Sequence, residues 1–89
     1  MSDPTVTVFI PTQLRNYTDG ATQVPATGTT VDEALRDLDA RYPGLRFRII
    51  DEQNRIRQHM RIFADGERAL DVTSVANREV HIFGALTGG

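Results

Sequence analysis

The residues of this chain best suited to chemistry are its last two, Gly88 and Gly89, a few positions beyond an apolar run, Val80-His81-Ile82-Phe83. A terminal carboxylate is reactive only for an enzyme that can reach it. Two residues without Cβ make a thin segment that adopts backbone angles closed to other residues. Such a segment, with Leu86 and Thr87 ahead of it, fits a narrow tunnel and presents the carboxyl group of Gly89 for activation. Chain ends rich in small residues are also often merely frayed. The rest of the chain has to decide between these readings.

Other groups offer less. His59 and His81 fall on expected strands among apolar neighbours. A metal ligand or general base needs carboxylate or thiolate company at defined geometry, so ordinary strand positions are expected and no metal or catalytic site. Asp37 with Asp39, and Asp51 with Glu52, are sequence neighbours that do not converge on one face, and read as solvated surface. Gly84, Gly88 and Gly89 make no phosphate loop, because no helix follows them. The chain has no cysteine, hence no disulfide and no thiolate nucleophile. All ten basic residues are arginines, so it holds neither a Schiff-base lysine nor a lysine acceptor for an isopeptide bond.

Eighty-nine residues, 39% hydrophobic and 25% charged, suit a single globular domain over 1–89, with 84–89 a flexible tail. No apolar run approaches the roughly 18–20 residues of a membrane span. Met1-Ser2-Asp3-Pro4 has no basic or apolar leader character. The expectation is a cytoplasmic protein with no membrane association. A net charge of −2 without a basic cluster argues against nucleic acid as partner.

Thr5 to Ile10 alternates at period two and predicts a strand with Val6, Val8 and Ile10 on one face. Leu14 to Gly20 reads as a turn region, and Ala21 to Ala26 as a weak second strand placed at a sheet edge by Pro25. Thr30 followed by Glu33 is a capping-box pattern opening a helix over Val31 to Arg41. Its apolar face is Val31, Ala34, Leu35, Leu38 and Tyr42, and Pro43-Gly44 stops it. Leu45 to Ile50 is a short apolar segment and Asp51 to Arg57 a polar loop. Gln58 to Ala64 reads as a strand, Asp65-Gly66 as a hairpin turn, Glu67 to Leu70 as a short strand, and Val80 to Phe83 as the last. The order β-β-α-β-β-β, with one amphipathic helix to be covered by a sheet face, predicts an α+β β-grasp with a mixed sheet.

With Val6, Val8, Ile10, Ile62, Val80 and Ile82 facing the helix, alternation sends Phe9, Phe63 and Phe83 to the opposite face. A β-grasp sets the first, last and third strands side by side, which gathers these rings into one patch edged by Arg61 and His81. A contiguous aromatic patch marks an interface, unless the Leu45 to Arg57 segment covers it.

The β1 segment, the capped helix, the Asp65-Gly66 hairpin and the closing Gly-Gly, in this order, resemble the ubiquitin-like sulfur carriers. That group includes the small subunit of molybdopterin synthase, the thiamine-pathway carrier and the carrier of a thiocarboxylate-dependent cysteine synthase pathway. Val8-Phe9-Ile10-Pro11-Thr12-Gln13-Leu14-Arg15 is similar to the last of these in particular. Where the family often has a proline after the final strand, this chain has Phe83-Gly84. The resemblance implies a protein co-substrate rather than an enzyme. A partner of the ubiquitin-activating type, an adenylyltransferase or sulfurtransferase, uses ATP to adenylate Gly89. A sulfur nucleophile then displaces AMP, and the resulting thiocarboxylate donates sulfur to an acceptor enzyme. That acceptor is cysteine-synthase-like or the molybdopterin synthase large subunit, and the carrier binds no cofactor itself. The resemblance also admits two alternatives, a structural subunit of molybdopterin synthase and a ubiquitin-like modifier of other proteins.

Overall fold

The computed structural model describes residues 3–84. The chain runs through β1 (Thr5–Phe9), a 3-10 helix (Thr12–Thr18), β2 (Gln23–Thr27), α1 (Val31–Arg41), α2 (Leu45–Ile49), β3 (Met60–Ala64), β4 (Glu67–Ala69) and β5 (Glu79–Gly84). The strands form one sheet in the order β2-β1-β5-β3-β4. β5 lies parallel to β1 and antiparallel to β3, so the sheet is mixed, as expected. A parallel pair needs a crossover, and α1 lies within the one joining β1 to β5.

The alternation read from the sequence places the core. Val6, Val8, Ile10, Ile62, Val80 and Ile82 are all buried on one sheet face, together with Val31, Ala34, Leu35 and Leu38 of α1. Each such aliphatic side chain contributes about 1.5–3 kcal/mol when fully buried. Helix α1 starts as its sequence dictates: Thr30 Oγ1 accepts from the Glu33 N–H at 3.2 Å. Glu33 reaches back to the Thr29 N–H at 2.7 Å, one residue beyond the usual capping box. Gly28 makes the close entry possible. A Cβ there would stand 2.6 Å from Glu33 Cβ and 2.9 Å from the Ala34 nitrogen, at a φ of +148°.

β2 is an edge strand, as Pro25 predicts. The Pro25 carbonyl accepts from Arg41 and the Thr27 N–H donates to Asp37 Oδ2 at 3.0 Å. The outward main-chain groups of that edge are therefore held by an i,i+4 ion pair of α1, which blunts it against pairing with another chain.

Two elements depart from the sequence expectation. The apolar segment after Gly44 is a helix, α2, with Leu45 and Ile49 in the core, Arg48 exposed and the Arg46 side chain largely buried. The Asp39 carboxylate accepts from the Gly44 and Arg46 N–H groups at 3.1 and 3.2 Å and sets its start. Arg46 then ties α2 to α1 through Asp32 at 2.8 Å. Burial pushes the Asp32 carboxyl up, but the Arg36 and Arg46 guanidinium groups outweigh it and leave the carboxyl below its ordinary range. The expected turn at Leu14 to Gly20 is largely the 3-10 helix, which begins at Thr12. Strand limits also shift: β2 begins at Gln23 rather than Ala21, β3 at Met60 rather than Gln58, and β4 ends before the exposed Leu70. β5 takes in Glu79 and Gly84, so Gly84 is its last residue rather than the first of the tail.

Candidate functional site

The face of the sheet away from α1 carries the aromatic residues the alternation sends there. Register sets Phe9 beside His81 and His81 beside Phe63, in a row across β1, β5 and β3, with Phe83 beside Arg61 in the next row. The Phe9 and His81 rings stack at 4.1 Å with planes 10° apart. His81 and Phe83 lie 6.2 Å apart and nearly parallel, and Phe83 meets Phe63 edge-on at 5.7 Å. These offset and T-shaped arrangements are the ones ring quadrupoles favour. His81 Nε2 also lies 3.2 Å from Glu79 Oε1. Arg61 donates to the Gln58 and Met60 carbonyls at 2.8 and 2.9 Å and borders the patch.

Phe83 keeps 52% of its surface exposed, while Phe9, Phe63 and His81 are half-buried among one another. The Leu45 to Arg57 segment does not cover this face, since α2 packs Leu45 and Ile49 into the core with α1. All five residues expected at a partner surface, Phe9, Arg61, Phe63, His81 and Phe83, thus come together.

The strand that carries the patch is held at both ends. At its start, Asp65 in the hairpin turn accepts three main-chain bonds: from Asn77 at 2.7 Å, Arg78 at 2.7 Å and Glu79 at 3.0 Å. These donors, Asn77 foremost, hold the Asp65 carboxyl below its ordinary range. At the strand's end, Gly84 pairs with Met60, and the side chain of Gln13 lies across it. A Cβ at Gly84 would overlap the Gln13 amide. Asp65 reads in the sequence only as a turn residue, and Gln13 only as part of the segment that carries the family resemblance; both act through contacts distant in sequence. Leu86, Thr87, Gly88 and Gly89 lie outside the described residues. His59 lies apart from the patch, beside α2. Among the described residues no group of three or more His, Asp or Glu side chains is placed to hold a metal ion, and no helix is long and apolar enough to cross a membrane.

This chain, a five-stranded mixed sheet over one main helix, matches the model of a known family over residues 8–89. The chain belongs to the ThiS family. This is a family of ubiquitin-like sulfur carriers, and its members are carriers rather than enzymes. The sulfur carrier protein CysO of Mycobacterium tuberculosis is 34% identical over 94 residues, covering 94% of this chain and 98% of that protein. A crystal structure of Mycobacterium tuberculosis CysO superposes with a TM-score of 0.80 at 32% identity, covering 91% of this chain and 99% of that one. The crystal structure of the Amycolatopsis orientalis BexX/CysO complex contains a match with a TM-score of 0.85 at 29% identity, covering 94% of this chain and 99% of that one. Solved small archaeal modifier protein 1 structures share the fold, one from Methanosarcina acetivorans at TM-score 0.72 and 24% identity over the whole of both chains. The ubiquitin-like β-grasp expected from the sequence is the fold of this family.

Proposed function

We propose that this ThiS-family chain carries sulfur on the carboxyl group of Gly89 for cysteine biosynthesis. A ubiquitin-activating-type partner transfers AMP from ATP to the Gly89 carboxylate and releases pyrophosphate. Sulfide, or a persulfide on a donor protein, attacks the acyl carbon; a C–S bond forms, the C–O bond to AMP breaks, and AMP leaves. With a persulfide the S–S bond is subsequently cleaved by a thiol, which leaves a disulfide on the donor. The free thiocarboxylate then delivers sulfur to a cysteine-synthase-like enzyme. Activation turns a poor electrophile into a good one, which is the general logic of covalent acyl transfer. Having no cysteine, the chain offers no side-chain thiol for the cargo.

The likeness to CysO over nearly the full length of both chains carries this reading. The exposed aromatic face supports it, because a carrier without an active site must be gripped by others. Phe9, Arg61, Phe63, His81 and Phe83 form the partner surface, and Leu86, Thr87 and Gly88 thread the partner's channel. That a CysO occurs in a complex with BexX in Amycolatopsis orientalis supports a protein as the docking partner.

Intact-mass spectrometry tests the proposal. Incubation with the cognate activating enzyme, ATP and sulfide is expected to add about 16 Da, oxygen replaced by sulfur at the acyl carbon. Gly88→Val is the matched control: it thickens the tail and restricts its backbone, and is expected to gain no mass while its melting temperature stays unchanged. No gain in the natural chain with a competent enzyme refutes the reading.

A further inference from the structure

A groove of about 490 Å³ lies between the 3-10 helix, α2 and the chain entering β3, away from the aromatic face. Gln13, Tyr17, Phe47, Arg48, Arg57 and His59 line it, and no lining residue is acidic. We infer that this groove binds an acidic segment of the protein partner that reads the tail, whose Asp or Glu carboxylates close on Arg48 and Arg57. The identity of that partner rests on the carrier reading above; the chemistry of the groove does not.

Arg36, Arg41, Arg46 and Arg55 each pair with a carboxylate. Arg48 and Arg57 do not, among the described residues. Arg48 Nε donates to Tyr17 Oη at 2.7 Å, and Arg57 Nε donates to the Phe47 carbonyl at 2.7 Å. Both acceptors are neutral, and among the described residues no carboxylate stands within ion-pair distance of either guanidinium; Asp51 acts on Arg57 only from farther off. The guanidinium planes are also positioned, 5.8 Å from the Tyr17 ring centroid and 4.5 Å from that of Phe47. Fixing the fork through Nε leaves the terminal nitrogens for an incoming carboxylate and lowers the entropy lost when it binds. On a chain of net charge −2, this is a local reversal of sign that attracts acidic groups.

Phe47 decides between a protein segment and a free anion. It is 54% exposed beside Arg57, an apolar surface that a small anion leaves wet and a peptide covers. Position points to the partner that reads the tail. Gln13 lines the groove and lies across Gly84, and Met60, the register partner of Gly84, borders the groove as well. A protein that grips the chain at Gly84 therefore meets this rim.

The test is a titration of the isotope-labelled chain with hexaglutamate peptide, followed by NMR, with inorganic phosphate at matched ionic strength in parallel. The peptide is expected to shift the Arg48 and Arg57 Nε signals and amides of the 3-10 helix, α2 and residues 57–60. Arg48→Gln with Arg57→Gln is expected to weaken it about tenfold, the equivalent of two modest charge pairs. Both side chains lie at the surface, and preserved dispersion of the spectrum shows that the variant is folded. Equal response to phosphate, shifts centred on Arg61, Arg68 and Arg78, or unchanged affinity in the folded variant overturns the inference. The peptide involves no sulfur chemistry, so failure here leaves the carrier reading standing. A missing mass gain, in turn, leaves the groove result standing.

Discussion

Replacing Phe83 by Ser separates recognition from folding. Phe83 is 52% exposed, so the folded chain loses only about half of the 1.5–3 kcal/mol that full burial of such a ring provides. The edge-on contact with Phe63 at 5.7 Å adds about 0.5–1.5 kcal/mol at most. The expected destabilisation is therefore about 1–3 kcal/mol. A domain with about 5 kcal/mol or more of stability remains well over nine-tenths folded after that loss. The remaining ring surface is desolvated only on association. Truncating an aromatic anchor at an interface commonly costs about 2 kcal/mol or more, which is roughly a 30-fold loss of affinity. Titration calorimetry against the activating enzyme, beside urea unfolding, reads both quantities. Ile62→Ser is the counterpart on the inner face. Ile62 is wholly buried opposite Ile82 and Ala69, and losing its side chain costs about 2–5 kcal/mol before the buried hydroxyl is counted. That variant is expected to unfold. Binding by Phe83→Ser within threefold of the natural chain would refute the assignment of the aromatic face as the docking surface.

Asp65→Asn keeps the left-handed turn residue and removes the charge that three main-chain donors stabilise. The Asp65 carboxyl is depressed, so its contribution, about 1 kcal/mol after discounting for exposure, is present above an unfolded value near ~3.9. It is lost as pH falls through the folded value. The difference between natural chain and variant in urea unfolding is thus expected to be full at neutral pH and to vanish at the acid end; a pH-independent difference rules the charge out as its cause. Gly28→Ala drives a Cβ to 2.6 Å from Glu33 Cβ at a φ of +148° and is expected to cost about 2 kcal/mol or more. A lowered urea midpoint with an unchanged slope checks it.

What the sequence discloses here is what short-range rules govern. Thr30, Glu33 and four apolar positions at helical spacing are enough to write down α1, and strict alternation in β1, β3 and β5 is enough to assign both faces of the sheet. The aromatic patch follows from that alternation once the strand order is known. α2 is hidden for a physical reason. Its five residues make little more than one turn, and Leu45 and Ile49 flanking Arg-Phe-Arg fit a helix or a strand equally well. What selects the helix is the left-handed Gly44, at a φ of +93°, and the Asp39 carboxylate across the turn. The charge pattern misleads in the same way. No basic cluster stands out along the chain, yet folding brings Arg48 and Arg57 into one groove while Arg36 and Arg41 pair with carboxylates four positions away and Arg46 with one fourteen positions away.

β5 is where these features meet. It is hydrogen-bonded to β1 on one side and β3 on the other, so it opens only with the sheet itself. Asp65 pins its first residues, His81 and Phe83 place it in the aromatic face, and Gln13 lies across its last residue beside the basic groove. A partner that grips either surface therefore holds a fixed frame whose end is Gly84. Whatever path residues 85–89 take, covalent geometry keeps the Gly89 carboxyl within about 18 Å of that point. Recognition residues far from Gly84 would leave the reacting group to search a large volume. On the proposed carrier reading, Phe83 and Gln13, one adjacent to Gly84 in sequence and the other touching it, would confine the search to a partner site already engaged. Under that proposal, such confinement would convert an encounter between two proteins into a near-unimolecular step.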